Sequence, residues 1–351
     1  MSQYQYLNLE NPEIRDFALN DPKAFIASFD TYVILDEIQR VPHLLSYIQV
    51  LVDDNNKPGQ FVLTGSHQLE LRQAISQSLA GRTGLLTLLP LSIHELSTAN
   101  IHHDTYANYI FNGFLPRIYD QNQRPTTAYS NYYQTYIERD VRQLINLKEA
   151  SLFEKFIKLL AGRVGQLIDY SSLGNDTGIS ANTVKHWLSI LEASFVIVKL
   201  APYYENFGRR LVKSPKYYFV DTGLLSFLLG IQNAQQVTRD PLMGTLFENL
   251  VVMDCLKAQL NQGKMPSLYF YRDSNGLEVD ILWQDGRILK PIEVKASATY
   301  NASLLKSLKK FKTVVDYEAG YLIYNGEQRN MSDKIHLRYF TTLHDLFNPT
   351  L

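Results

Sequence analysis

The apolar run Tyr32-Val33-Ile34-Leu35 ends abruptly in two adjacent carboxylates, Asp36 and Glu37. This is the form of a Walker B strand, in which the first acid holds Mg²⁺ and the second orients water against a nucleotide γ-phosphate. The next short apolar run, Phe61-Val62-Leu63, closes with the small polar residues Thr64-Gly65-Ser66. Ligands of open α/β sheets sit beyond the carboxyl ends of the strands, which is where both sets of residues fall. The companion loop G-x-x-x-x-G-K-[ST], whose N–H groups and lysine cradle the phosphates, does not occur in the sequence. Taken singly, each motif has a plainer reading: Asp36-Glu37 opens a loop, and Thr64-Gly65-Ser66 caps a helix.

A second set of ionisable residues is Glu248, Asp280, Glu293 and Lys295. Glu293 and Lys295 lie two apart on an expected strand and share a face, and Asp280 belongs to the preceding strand of a hairpin. At helical spacing Glu248 sits above Val251, Val252 and Cys255, with Asp254 and Lys257 turned away, so its carboxylate falls on the buried side. A buried acid requires a metal, a lysine or another donor. Helix-Glu, strand-Asp and Glu-x-Lys together resemble the PD-(D/E)-x-K nuclease pattern. By that resemblance Glu248, Asp280 and Glu293 would bind Mg²⁺, and Lys295 would steady the attacking hydroxide or the charged phosphorane. The metal lowers the pKa of its water and neutralises charge during in-line attack. The alternative is an ordinary solvated strand face.

A third set is basic. Ser171 can cap a short helix, Thr177-Gly178 turns, and Ser180 caps a second helix that buries Val184, Trp187, Leu188 and Leu191, the pattern of a helix-turn-helix. Strands Phe195 to Leu200 and Tyr217 to Val220 then flank a basic loop, giving a winged form. Lys185 on the second helix and Arg209, Arg210 and Lys213 in the loop are the expected nucleic-acid contacts, because phosphate contacts supply most DNA affinity. Packing between domains or subunits is the competing role. Lys306, Lys309 and Lys310 mark another basic helix face, either a support for a nucleic-acid backbone or a solvated surface.

The rest of the composition sets bounds. At 351 residues, two or three domains with separate cores are expected. With 45% hydrophobic and 20% charged residues the chain is globular and not disordered. The net charge of −1 means that any nucleic-acid contact comes from local patches. The single cysteine, Cys255, excludes an internal disulfide and suits a reducing compartment. Runs such as Leu85 to Ile93 are too short to cross a bilayer, so a cytoplasmic location with no membrane partner is expected.

These residues need elements to position them. Tyr4 to Leu9 reads as a strand and Pro12 starts a helix. Leu44, Leu45, Ile48, Leu51 and Val52 repeat at helical spacing before the strand Phe61 to Leu63, making a βαβ unit. Strand runs without alternation imply burial on both faces, as in a parallel sheet covered by helices. A helix over Leu69 to Leu79 and a strand over Leu85 to Leu89 continue the alternation. A long amphipathic helix follows from Tyr129 to Leu147, and Leu152 to Leu160 is another. The last third reads as a helix from Thr245 to Leu260, strands near Leu268 to Arg272, Val279 to Trp283 and Pro291 to Lys295, a basic helix from Ser303 to Val314, and a strand from Gly320 to Tyr324. Asn275-Gly276 and Asp285-Gly286 are turn signals between the first three of those strands.

The segments Val33-Ile34-Leu35-Asp36-Glu37-Ile38-Gln39-Arg40-Val41-Pro42, Pro58 to Ser66, Ser78-Leu79-Ala80-Gly81-Arg82 and Leu89-Pro90-Leu91-Ser92 closely resemble a bacterial and archaeal family of AAA-type ATPases that carry a C-terminal domain of unassigned function. The likeness continues through Tyr136 to Val141, Trp187 to Ala193 and Gly244 to Asn249, and so spans nearly the whole chain. It implies that Asp36 binds Mg²⁺, Glu37 activates water, Thr64 or Ser66 acts as sensor near the γ-phosphate, and Arg82 approaches phosphate. Members of that family carry a strand and Walker A loop upstream of the segment matching Tyr4. The expectation is therefore a truncated product, a retained scaffold, or a site completed from elsewhere, with ATP hydrolysis impaired in this chain.

The expected fold is α/β: an incomplete P-loop, AAA-type parallel sheet in residues 1–125, a helical and winged-helix middle in 126–235, and a restriction-endonuclease-like α/β domain in 236–351. The expected function is that of an AAA-type ATPase-family protein associated with DNA, with ATP and Mg²⁺ as cofactors. The alternatives are a Mg²⁺-dependent endonuclease working through the C-terminal domain, and a non-enzymatic DNA-binding or assembly module partnered by a second copy or a neighbouring domain.

Overall fold

Three short β-rich runs separated by capped helices build the first unit, Met1–Leu85. The computed structural model describes residues 4–55, 57–65, 78–141, 150–203, 212–331 and 333–347. Strands β1 (Tyr4–Asn8), β2 (Tyr32–Asp36) and β3 (Phe61–Leu63) form a parallel sheet in the order β1-β2-β3, with Asn8 opposite Asp36 and Leu35 opposite Leu63. Helix α1 (Pro12–Asn20) starts where the Asn11 side chain accepts the Glu13 N–H and proline needs no donor, and α2 (Pro22–Ala27) starts the same way under Asp21. The crossover to β3 is α3 (Leu44–Asn55). Leu9, Ala18, Phe25, Val33, Leu35, Leu44 and Ile48 pack into one core.

Burial of this sheet differs from the expected pattern. Among the described residues one face carries the core, while Tyr6 and Val62 on the other are exposed. The expected strand over Leu85 to Leu89 does not form. Leu85, Leu86 and Leu88 are exposed, no described strand pairs with that segment, and a β conformation without a ladder has nothing to hold it. The expected helix over Leu69 to Leu79 falls mostly outside the described residues.

The second unit, Leu86–Leu351, contains one eight-stranded sheet. Its strands are β4 (Ile197–Pro202), β5 (Lys216–Phe219), β6 (Leu268–Arg272), β7 (Glu278–Asp285), β8 (Ile288–Lys295), β9 (Gly320–Tyr324), β10 (Arg329–Asn330) and β11 (Ile335–Tyr339), in the order β10-β11-β9-β8-β7-β6-β4-β5. Antiparallel pairing joins β6 to β7 and β7 to β8, whereas β9 runs parallel to β8. Gly276 and Gly286 take the left-handed conformations that the turns at β7's two ends require. The crossover from β8 to β9 is α14 (Lys306–Lys312), preceded by a 3₁₀ turn and packed on β7 and β8.

A helical stretch precedes the strands of this sheet in sequence. Helices α4 (Ile93–Thr98), α5 (Tyr106–Asn112), α6 (Pro116–Asp120) and α7 (Pro125–Tyr132) precede a π-helical continuation, Tyr133–Val141, of the expected long helix; its remainder to Leu147 lies outside the described residues. After α8 (Ala150–Ala161), α9 (Tyr170–Thr177) and α10 (Ala181–Ala193) form the helix-turn-helix, with Gly178 at φ 95° in the turn. Asp169, not Ser171, caps α9, accepting the Ser172 N–H at 2.7 Å. Ser180 caps α10 as expected. The two strands expected to make the wing, β4 and β5, pair with each other, while β4 also pairs with β6. β4 and β5 thus belong to the C-terminal sheet, and residues 86–351 form one compact unit. Helices α11 (Thr222–Leu228) and α12 (Ala234–Arg239) lead to α13 (Met243–Leu260).

Candidate functional site

Asp36 ends the middle strand of the first sheet, and the Leu9 N–H donates to its carbonyl at 3.0 Å. Thr64 follows β3. Its N–H donates to the Leu35 carbonyl and its carbonyl accepts the Ile38 N–H, both at 3.0 Å, so backbone bonds clamp the ends of β2 and β3 together. The side chains meet there as well. The Thr64 hydroxyl donates to Asp36 Oδ1 and the Tyr6 hydroxyl donates to Oδ2 at 2.6 Å. Those two donors, threonine first, hold the Asp36 carboxyl below its usual range against the opposing effect of burial.

Glu37 leaves the strand in a left-handed conformation, φ 58° and ψ 44°. A residue with a Cβ accepts that at roughly 1–2 kcal/mol, and the Gln39 amide donates to Glu37 Oε2. Asp36, Glu37 and Thr64 are therefore gathered at one rim, whereas Arg82 is not. Its guanidinium binds Asp53, with Nη2 2.9 Å from Oδ2. Asp53 lies in the last turn of α3, the end that returns to the start of β3, so the structure pairs Arg82 with that carboxylate and does not bring it to the Asp36 rim. Ser66 lies outside the described residues.

The second set converges where β6 and β8 end and β5 and β7 begin. Lys295 Nζ lies 2.7 Å from Glu293 Oε1 and 3.2 Å from Asp280 Oδ2. Asp280 Oδ2 also accepts the Val294 N–H at 2.8 Å. Glu293 is buried and its Oε2 makes no hydrogen bond. Burial, then the Asp280 charge, pushes the Glu293 carboxyl up to about 8, with Lys295 pulling the other way. Burial disfavours the charge of Lys295, but Asp280 and Glu293 outweigh it and raise its pKa.

Glu248 is held by a different cation. Its Oε1 accepts from Lys216 Nζ at 3.1 Å and from the Tyr218 hydroxyl. Lys216 also lies 2.7 Å from Glu278 Oε1, and Arg272 Nη1 lies 3.1 Å from Glu278 Oε2. Burial pushes Glu248 up to about 7, opposed first by Lys216. Among the described residues no three His, Cys, Asp or Glu side chains form a group able to hold a metal ion. The expected trio is split, because Lys295 joins Asp280 to Glu293 while Lys216 and Tyr218 take Glu248. Mg²⁺ needs only one or two carboxylates beside water and substrate oxygens. Asp280 and Glu293 stay together only through Lys295, which bonds to both.

Sequence reasoning missed Lys216, Tyr218, Glu278 and Arg272. Lys216 looked like the last cation of a basic loop. The available signal was the apolar run Tyr217 to Val220 that follows it directly, since a lysine drawn into such a run needs a carboxylate. Asp254 and Lys257 were expected to turn away from the core, and both are buried. Asp254 accepts the Ile93 N–H at 3.0 Å, while Lys257 donates to the Leu91 carbonyl at 2.7 Å and lies 4.2 Å from the Phe114 ring centre. Nearly every side of α13 is covered, so helical spacing had no solvent face to find. Lys185 is exposed on α10, 5.4 Å from the Tyr170 ring centre, and Lys213 is exposed; Arg209 and Arg210 lie outside the described residues.

Residues 1–97 match the family described as AAA domain. The chain carries an AAA domain. Beyond it, residues 103–235 and 243–343 match two domains of unknown function, DUF8612 and DUF4143. Uncharacterized proteins of Mycobacterium bovis and Mycobacterium tuberculosis are each 29% identical over 323 residues, covering 91% of this chain and 70% of the relative. An uncharacterized protein of Haemophilus influenzae is 26% identical over 252 residues, 67% of this chain and 60% of its own. The crystal structure of protein VC1899 from Vibrio cholerae covers 91% of this chain and 90% of its own at 15% identity, with a TM-score of 0.24. No helix among the described residues is long and apolar enough to cross a membrane.

Proposed function

We propose that the AAA domain binds a Mg²⁺–nucleoside triphosphate at the rim formed by Asp36, Glu37 and Thr64. The observation that carries this reading is the Asp36 carboxylate at the end of the middle strand of a parallel sheet, hydrogen-bonded to the Thr64 hydroxyl beside it. The donors are all oxygen, as Mg²⁺ prefers, and the depressed pKa of Asp36 keeps it charged. When bound, the ion neutralises phosphate charge. Asp36 would hold it, Glu37 would take a proton from water, and the Thr64 hydroxyl would fix the carboxylate's orientation. Calorimetric titration with Mg²⁺ and ATP tests this: saturable binding is expected, weakened at least about tenfold by Asp36→Ala. A flat titration of the wild-type chain would overturn it.

A second reading is favoured by a separate observation, the Asp280–Lys295–Glu293 cluster with its unbonded buried oxygen. Asp280 and Glu293 would hold Mg²⁺ and Lys295 would stabilise charge developing on a phosphodiester, with DNA reached through the winged helix at Lys185 and Lys213. Metal-dependent DNA cutting is expected, lowered at least about 100-fold by Lys295→Ala. Absence of cutting with Mg²⁺ or Mn²⁺ retires this reading and leaves the first untouched.

A further inference from the structure

Residues 296–315 contain four lysines and no acid, in a chain whose net charge is −1. The lysines are Lys306, Lys309, Lys310 and Lys312, all exposed on α14. The opposite side of the same short segment is apolar and spent: Leu305 and Leu308 pack in one small core and Phe311 in another. Among the described residues Lys306 and Lys310 have no ion-pair partner, and Lys309 reaches only Asp333, at 3.6 Å. Lys312 lies 5.8 Å from the Tyr317 ring centre. The cationic face is therefore not neutralised from within.

Two observations limit what it fits. A helix that lies on a membrane must offer apolar side chains to the lipid, and α14 has none left, since its exposed residues are all lysines. What remains is recognition of an anion by charge alone, which suits a polyanion. Helix α14 packs on β7 and β8, the strands that carry Asp280, Glu293 and Lys295, so the basic face belongs to the helix that lies against the cluster's own strands.

From this we infer that α14 is the docking surface for a nucleic-acid backbone, carrying the strand past the Glu293 end of β8. The choice of nucleic acid over another polyanion rests on the phosphodiester reading of that cluster. The lysines are spread over about 1.7 turns of α14, which is enough for contacts with successive phosphates and leaves base identity unread.

The test uses the full chain with a chelator present, so that cleavage does not enter, and follows a short fluorescent DNA duplex and its single strand over a range of salt. Replacing Lys306, Lys309 and Lys310 with Gln together is expected to weaken binding by about tenfold or more and to lower the log–log salt slope by roughly 2 to 3. The same charge change made at exposed sites elsewhere in this unit, Arg239→Gln with Lys264→Gln and Arg287→Gln, is expected to leave both nearly as they were. Equal losses in the two triple variants, no DNA binding by the wild type, or binding to phosphatidylserine vesicles in place of DNA would overturn the inference. Binding that depends on α14 without any cutting in Mg²⁺ would keep it and dismiss the phosphodiester reading alone.

Discussion

Glu293 places a carboxylate among β-strands where one oxygen meets Lys295 and the other meets no donor. The folded chain therefore prefers that group protonated, and its pKa stands near 8 against the ordinary carboxyl range. Glu248, near 7, and the buried Asp254, near 6, are shifted the same way, in each case first by burial. An acid whose folded pKa exceeds its unfolded one holds its proton more tightly when folded, so stability falls as pH rises between the two values. The window runs from 3.8 to about 6 for Asp254 and from 4.5 to about 7 and about 8 for Glu248 and Glu293. Glu293→Gln removes one such titration and is expected to flatten the decline of unfolding free energy between roughly pH 5 and pH 8, measured by urea denaturation at several pH values. Parallel slopes for wild type and variant would contradict the assignment. A bound divalent cation would act oppositely on the same residue, lowering its pKa, so Mg²⁺ should reduce the slope in the wild type and not in the variant.

At the level of elements, what the sequence disclosed was whatever repeats at a fixed period over enough residues. The turns at Asn275-Gly276 and Asp285-Gly286 bracketed β7 correctly, and the strand from Gly320 to Tyr324 was legible to the residue. The helix-turn-helix was legible from Gly178 and Ser180, because a left-handed turn and a cap are local chemistry. Partners distant in sequence were not. The Asn249 side chain accepts the Phe219 N–H and donates to the Phe219 carbonyl, both at 2.8 Å, so an amide on α13 pairs with β5 as a strand would. Nothing near position 249 announces that, and the same long-range pairing hid the role of Lys216. Leu85 to Leu89 shows the converse, since an apolar run becomes a strand only when another strand is there to bond it. Of the first site, Asp36, Glu37 and Thr64 were readable because strand ends lie at known places in a parallel sheet. Arg82 was not, because the position of Asp53 one helix away decided its partner.

Among the described residues the two units share no core residue: Met1–Leu85 holds one small hydrophobic core, and Leu86–Leu351 holds a much larger one with two small cores beside it. Buried fraction rises with size, so a unit of this smaller length has the slimmer margin, on the order of a few kcal/mol. Each unit should then unfold on its own, the first at lower denaturant. The chain offers a direct way to see it. Both tryptophans, Trp187 and Trp283, are buried in the second unit, whereas helices and strands of both units contribute to the far-ultraviolet circular dichroism. Two dichroism transitions are expected in urea, with tryptophan emission shifting only in the later one. The nucleotide reading adds a sharper requirement. A ligand held at the Asp36 rim stabilises only the unit that binds it, by about 2.7 kcal/mol at a hundredfold excess over its dissociation constant. Mg²⁺ with ATP should therefore move the early transition and leave the tryptophan-reported one in place, and Asp36→Ala should abolish that movement. One coincident transition by both probes would show that the two units do not unfold separately, and an early transition indifferent to nucleotide would remove Asp36 from a nucleotide site.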